Sequence, residues 1–306
     1  MNIIKRYEIK SQSSLIFAKR DLKNYFKHLN LPADDFIFAL MELGTNILKY
    51  AKEGEIWLLE EKGKHALCAL DKGPGIENLD WALKKGTTSA KNSLGLGLFQ
   101  LSIRESFNLE IFSKKNLGTV VVFHNIPDLE YVYLSLPLID NKSGDFFAKK
   151  GRFFLFGDAA GHGNQALKTA EYVKKRFFEE LFSCTFIDEF FKQVHIELKQ
   201  KKLRGCVVDI VEVSKKYFNI CGVGNIMIFY NSNMFSQKEG IIGVAFSSST
   251  KITFERPAKL TLCSDGIDVR VIKDIIEDIN SPILLSVAGI YFSNKHDDKS
   301  ILTIWR

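Results

Sequence analysis

Two sets of carboxylates and glycines in this chain of 306 residues have the residue types that phosphate chemistry uses. The first set is Glu42 with Asn46, then Asp71-Lys72-Gly73-Pro74-Gly75, then Gly95-Leu96-Gly97-Leu98, then Gly118-Thr119. Glu42 and Asn46 are one helical turn apart and project from one face. Asp71 closes an apolar run, where a carboxylate can accept a hydrogen bond from an exocyclic amine of a base. The glycines after it let backbone approach a flat ring. Gly95 and Gly97 precede a helical pattern, and free N–H groups at a helix start bind phosphate oxygens. Each piece has a plainer explanation: an amphipathic stripe for Glu42, Asn46 and Lys49, a turn for Asp71–Gly75, a loose lead-in for Gly95–Gly97.

The second set is Gly157-Asp158-Ala159-Ala160-Gly161-His162-Gly163, then Ser264-Asp265-Gly266, then Asp297-Asp298. Asp158 and Asp265 each end an apolar run, and Asp297-Asp298 precedes one. Carboxylates brought together at strand ends supply the oxygen ligands that hard divalent cations require. Two such ions can activate a water toward a phosphoester. Taken singly, Asp-Gly and Asp-Asp are ordinary turn chemistry. His162 in its glycine turn reads as a turn residue first and an acid second, and His195 as a surface residue of a helix.

The elements that must position these residues emerge from periodicity. Strands are expected at Ile3–Ile9, Glu55–Glu60, His65–Leu70, Glu110–Ser113 and Thr119–His124, and helices at Ser14–Leu29, Asp34–Ala51, Leu79–Lys84 and Leu96–Phe107. Gly86–Ser93 is a polar stretch suited to a lid. After Asn125–Asp128, strands dominate: Tyr131–Leu136, Phe153–Phe156, Cys206–Val213, Tyr217–Gly222, Ile226–Tyr230, Ile252–Glu255, Lys259–Ser264 and Ser300–Trp305. Helices Gln165–Phe182 and Phe186–Leu198 interrupt them. The expected class is α+β, with an α/β sandwich over residues 1–127 and an αββα sandwich over 128–306. No long linker separates the two.

In order and spacing, residues 1–127 resemble the ATPase superfamily of gyrase, histidine kinases and MutL, which has the Bergerat-type fold. The likeness is greatest to its switch-protein and anti-sigma-factor serine/threonine kinases. That resemblance implies that Glu42 acts on the phosphoryl acceptor and that Asn46 holds Mg²⁺. It further implies that Asp71 reads adenine with Gly73 and Gly75 beneath the base, that Gly95 and Gly97 form the phosphate loop, and that Thr119 completes the site around ATP. Residues 128–306 resemble the metal-dependent serine/threonine protein phosphatases of the bacterial sporulation and stressosome branch. By that likeness Asp158, Asp265 and Asp297 and the carbonyl of Ala159 hold Mg²⁺ or Mn²⁺, with Asp298 behind them or as an alternate ligand. Ala159 stands where relatives usually carry Gly or another small residue, and still offers its carbonyl. No arginine matches the phosphate-binding one of the eukaryotic branch.

Composition excludes several classes. The net charge is +6, +4 of it in residues 1–127, too mild and too evenly spread for a nucleic-acid-binding domain. The five cysteines show no metal spacing and lie mostly in apolar runs, as reduced thiols do in the cytoplasm. Met1–Lys10 lacks the pattern of a signal peptide, and the uncharged stretch Ser281–Ser293 is too short to span a bilayer. No P-loop or GxGxxG pattern occurs, and Asp145-Phe146-Phe147 is not the DFG of protein kinases.

The resemblances together imply a cytoplasmic regulator that phosphorylates and dephosphorylates a STAS-domain antagonist protein in a partner-switching pathway. A sigma factor or other switch protein is a further expected partner, and relatives of the first domain often form homodimers. Two alternatives stand beside this: a phosphatase with a nucleotide-gated domain that only binds, and an anti-sigma factor.

Overall fold

The computed structural model describes residues 1–84, 97–139, 142–180 and 186–305. The chain divides into two compact units, one of residues 1–129 with 278–292 and one of 130–277 with 293–306. No helix among the described residues is long and apolar enough to cross a membrane.

In the first unit the chain runs β1 (Asn2–Ile9), α1 (Gln12–His28), α2 (Asp34–Asn46), a π-helical turn (Ile47–Ala51), β2 (Gly54–Glu61) and β3 (Lys64–Asp71). Then come the short α3 (Leu79–Ala82) and α4 (Gly97–Ser102), β4 (Asn108–Lys114) and β5 (Gly118–His124). The strands form one antiparallel sheet in the order β1-β2-β3-β5-β4. Ser11 caps α1, accepting from the Ser14 N–H while the Ser14 hydroxyl accepts from the Ser11 N–H. Leu15, Ala18, Leu22 and Phe26 of α1 and Phe36, Ala39, Leu40 and Leu43 of α2 bury against Ile56, Leu58, Leu67, Ala69, Val121 and Phe123 of the sheet. Strand alternation sends the intervening residues, including Trp57 and Phe112, to the opposite face.

The second unit contains two five-stranded sheets. The chain runs through β6 (Tyr131–Leu136), β7 (Asp145–Lys150), β8 (Phe153–Ala159), α5 (Gly163–Glu179), α6 (Ile187–Gln200), β9 (Cys206–Val213), β10 (Tyr217–Val223) and β11 (Met227–Tyr230). It continues through β12 (Asn233–Phe235), β13 (Thr250–Glu255), β14 (Lys259–Cys263), α7 (Val269–Ile275), α8 (Pro282–Phe292) and β15 (Lys299–Trp305). The sheets are ordered β13-β10-β9-β8-β7 and β12-β11-β14-β15-β6. Phe154, Phe156, Val211 and Phe218 of one sheet meet Ile228, Leu260, Leu262, Leu302 and Ile304 of the other. On the outer face of the first sheet, Ala166, Ala170, Val173 and Phe177 of α5 and Phe190, Phe191, Val194 and Leu198 of α6 bury against Leu155, Val208 and Ile210.

Of the two helices after β14, only α7 stays with the second unit. Helix α8 lies in the residues grouped with the first. Its ring pairs place it on the sheet face away from α1 and α2: Tyr291 meets Trp57 edge-on at 6.1 Å, and Phe292 meets Phe112 at 6.2 Å. Every residue from Ile283 to Ile290 is buried.

Asp209 is an exception to the apolar core of the second unit. It shares strand parity with Val207 and Val211, is fully buried, and has both carboxylate oxygens 2.7 Å from the Gln237 amide nitrogen. Burial pushes its pKa up to about 8, with the amide opposing the shift. A folded-state pKa above the unfolded one means that the folded form holds the proton more tightly. The resulting stabilisation is complete below about pH 4 and is lost as pH rises to about 8. Asp209→Asn, which keeps the shape and cannot ionise, should raise the thermal midpoint at pH 8 and leave it nearly unchanged at pH 4. Its midpoint should vary less with pH than the wild type's across that window, as thermal melts over a pH series will show.

Candidate functional site

In the first unit, β3 and β5 are in register at Asp71 and Thr119. The Asp71 carboxylate accepts from the Gly73 N–H at 2.8 Å. Burial raises its pKa, and backbone hydrogen bonds from Gly73 and Thr119 oppose the rise. The Thr119 hydroxyl lies 2.8 Å from that of Ser113, which accepts from the Ile76 N–H. Asp71, Gly73 and Thr119 therefore form one fixed corner. The π-helical turn after Asn46 brings Ala51 beside it, its Cβ 2.7 Å from where a side chain on Gly73 would begin. Glu42 is met from the other side: a Cβ on Gly97 would fall 2.2 Å from its Oε2, so the start of α4 packs directly against the Glu42 carboxylate. Gly75 has a φ of +79° and lies against the Lys114 carbonyl. Gly95 and the Gly86–Ser93 stretch lie outside the described residues.

In the second unit, β7 and β8 set Asp145 directly opposite Asp158. Like charges facing each other across a ladder repel. Burial is the main cause of a strongly raised Asp158 pKa, followed by the charges of Asp145, Asp265, Asp297 and Asp298. The carboxylates expected from sequence are thus brought within electrostatic reach of one another, together with Asp145, which sequence reasoning missed. Asp145 is buried, its pKa is raised first by that burial, and neither carboxylate oxygen has a hydrogen-bond partner of normal geometry. The signal was available: Gly144-Asp145 opens the apolar run Phe146–Ala148, as Asp158 closes one.

Asp298 has a different task. It is buried and accepts from the Leu138 N–H and the Gly144 N–H, both at 2.7 Å. It clamps the segment leading into Asp145. Its own N–H donates to Asp297, whose carboxylate lies 3.4 Å from His162 Nδ1. His162 occupies the cap position of α5 without a side-chain cap bond. Asp265 accepts from the Asn225 amide at 3.1 Å, and its carbonyl accepts from Lys295. The Ala159 carbonyl sits against Gly144, 2.6 Å from where a Cβ would stand.

An arginine also belongs to this loop. Arg204, just before β9, donates from Nη1 to the Ala160 carbonyl at 3.0 Å, while the Ala160 N–H donates to the Gly205 carbonyl at 2.8 Å. The guanidinium fills the space that Gly161 leaves, 1.9 Å from a would-be Cβ. Arg204 is exposed and forms no ion pair with a described carboxylate. Sequence offered no sign of it, because Arg204 and the 157–163 loop meet only through the pairing of β8 with β9.

The donor set suits a hard divalent cation: it is all oxygen, its carboxylates repel one another, and the Asp145 oxygens have only the Ser264 and Ser300 hydroxyls near them, with no hydrogen bond of normal geometry. Among the described residues no three His, Cys, Asp or Glu side chains are placed so that together they could hold a metal ion as they stand. An ion here would draw further oxygens from backbone carbonyls and water.

No protein-family model matches the chain, and no curated protein matches it. Solved structures with a similar fold include RsbX in complex with magnesium, at 18% identity over 56% of this chain and 92% of that one, with a TM-score of 0.47. The SiaA-PP2C domain of Pseudomonas aeruginosa is 16% identical over 58% and 86%, with a TM-score of 0.48. The serine/threonine phosphatase PstP/Ppp of Mycobacterium tuberculosis is 9% identical over 57% and 98%, with a TM-score of 0.47. At such identities and scores the likeness carries no functional weight.

Removing the Asp298 clamp tests its structural task directly. Asp298→Ala frees two buried or half-buried N–H groups that now donate to a carboxylate, at a cost on the order of 3 kcal/mol. A clearly lower thermal midpoint is expected even in chelator, where no metal effect can contribute. An unchanged midpoint would show that Leu138 and Gly144 do not need this carboxylate.

Proposed function

We propose that the second unit is a metal-dependent phosphatase of phosphoserine or phosphothreonine in a protein partner. The observation that carries the proposal is the facing pair Asp145 and Asp158, with Asp265, Asp297 and Asp298 near enough to raise the Asp158 pKa. Asp145, Asp158, Asp265 and Asp297, with the Ala159 carbonyl, would hold Mg²⁺ or Mn²⁺. Bound ions would lower the pKa of a water for attack on the phosphoester. The chain's own part is positional. Asp298 fixes the approach to Asp145. Arg204, with one N–H anchored to the loop and the rest of its fork uncommitted, takes the phosphoryl oxygens of the substrate.

For the first unit we infer an ATP site and a serine/threonine kinase. The Asp71–Gly73–Thr119 corner supports recognition of adenine, and Glu42 beside Gly97 supports a role at the phosphoryl acceptor. Asn46 would hold Mg²⁺. Both activities would address one partner, a STAS-domain antagonist, as writer and eraser of a charge-bearing modification.

Manganese-dependent phosphate release from a phosphoserine peptide is expected, abolished by chelator and at least about 100-fold slower in Asp158→Asn. Release at the wild-type rate in excess chelator would reject the metal reading. Arg204→Lys should raise KM for the peptide roughly tenfold or more while kcat changes less, because a point charge replaces a fork. For the kinase, Glu42→Ala should retain ATP affinity in calorimetry and lose phosphoryl transfer. Transfer at the wild-type rate in that variant would exclude the role given to Glu42.

A further inference from the structure

Helix α8 stands far along the sequence from Asp71, yet its last turn touches the strand that carries Asp71. The Tyr291 hydroxyl donates to the Leu70 carbonyl at 3.2 Å. The Lys72 ammonium lies 5.5 Å from the centre of the Tyr291 ring, within cation–π reach. Tyr291 thus contacts the residues on both sides of Asp71. The Asp71 charge is itself felt at Tyr291: its phenol is held above the ordinary range by burial first, then by Glu55 and Asp71. At its other end the helix is tied to the same sheet, where the Ser281 hydroxyl donates to Glu110 at 2.5 Å. Ser281 also accepts the Leu284 N–H, so the first turn of α8 begins on that anchor.

Beyond α8 the chain leads within a few residues to two of the clustered carboxylates. After Phe292 come Ser293-Asn294-Lys295-His296, and then Asp297 and Asp298. The segment is held at several points. The Ser293 hydroxyl accepts from the Asp268 N–H, Lys295 donates to the Asp265 carbonyl, and Asp298 clamps Leu138 and Gly144.

We propose that α8 is a built-in part of the nucleotide site, with Tyr291 positioning the strand end at Asp71, and that it passes nucleotide binding on to the Ser293–Asp298 segment. The proposal rests on the ATP-site reading of the first unit. A nucleotide held by Asp71 fixes the end of β3. The Leu70 carbonyl then fixes the Tyr291 hydroxyl, and with it the point at which the chain departs toward Asp297. Linkage makes the effect reciprocal, so whatever orders the Asp297 segment must also alter nucleotide affinity.

Hydrogen exchange on the full-length protein tests this, with and without the magnesium complex of adenylyl imidodiphosphate. Binding of that nucleotide is measured separately by calorimetry. In the wild type, nucleotide should slow amide exchange across 293–298 at least about fivefold. In Tyr291→Phe, which keeps the ring and removes the hydroxyl, nucleotide affinity should change measurably because the strand end at Asp71 loses its support, and at nucleotide saturation the slowing at 293–298 should be lost. A merely structural tyrosine would shift exchange equally in the presence and absence of nucleotide. Calorimetric binding with no change at 293–298 in the wild type would overturn the relay and leave the ATP reading intact. Full slowing in Tyr291→Phe would remove Tyr291 from it. Absence of binding in the wild type would sink the ATP reading and the relay together. The wild-type arm decides the matter even if the variant folds poorly.

Discussion

Repulsion among carboxylates is the constraint that organises the second unit. Asp145 and Asp158 face each other across a ladder, with three more carboxylates close enough to oppose ionisation of Asp158. Such a cluster is unfavourable unless the surrounding chain holds it in place. The holding is distributed. Two sheets and two helices fix β7, β8 and β9, and Asp298 spends its charge on backbone N–H groups. Arg204 brings a positive charge against the loop at Ala160 and Gly161. The two sheets and their helices pack through largely apolar faces, with Asp209 buried among them.

Much of this was legible from residue order alone. The strands that end at Asp71 and Asp158 are alternating or continuous apolar runs broken by Asp-Lys-Gly or Asp-Ala-Ala-Gly, and periodicity finds such edges. The corner formed by Asp71 and Thr119 was foreshadowed by their resemblance to a nucleotide site. The structure adds their register and the backbone bonds that support the carboxylate. Asp298 was expected near the ions and is found spending both oxygens on the chain itself.

What sequence could not reveal depends on contacts between distant segments. Arg204 carries no local pattern, since its meaning comes from a neighbouring strand. Asp145 heads a triplet that is not DFG, yet its place at the start of an apolar run matches the rule that singles out Asp158. Asp209 is a carboxylate inside the expected strand Cys206–Val213, and its burial is set by the neighbouring sheet and Gln237 rather than by any local pattern. Helix α8 reads as an uncharged stretch with no stripe, because every residue from Ile283 to Ile290 is buried and no polar face marks its period. Its partners lie more than a hundred residues earlier in the chain.

The split composition of the first unit bears on how the protein is made. A ribosome delivers residues 1–129 well before residues 278–292. At synthesis rates of about 5–20 residues per second, the sheet bearing Trp57 and Phe112 waits on the order of ten seconds or more for α8. During that interval an apolar face is without its own cover and is a target for chaperones or for premature association. A nascent chain interrupted between the two segments would carry every strand of the first unit and still lack the layer that closes it.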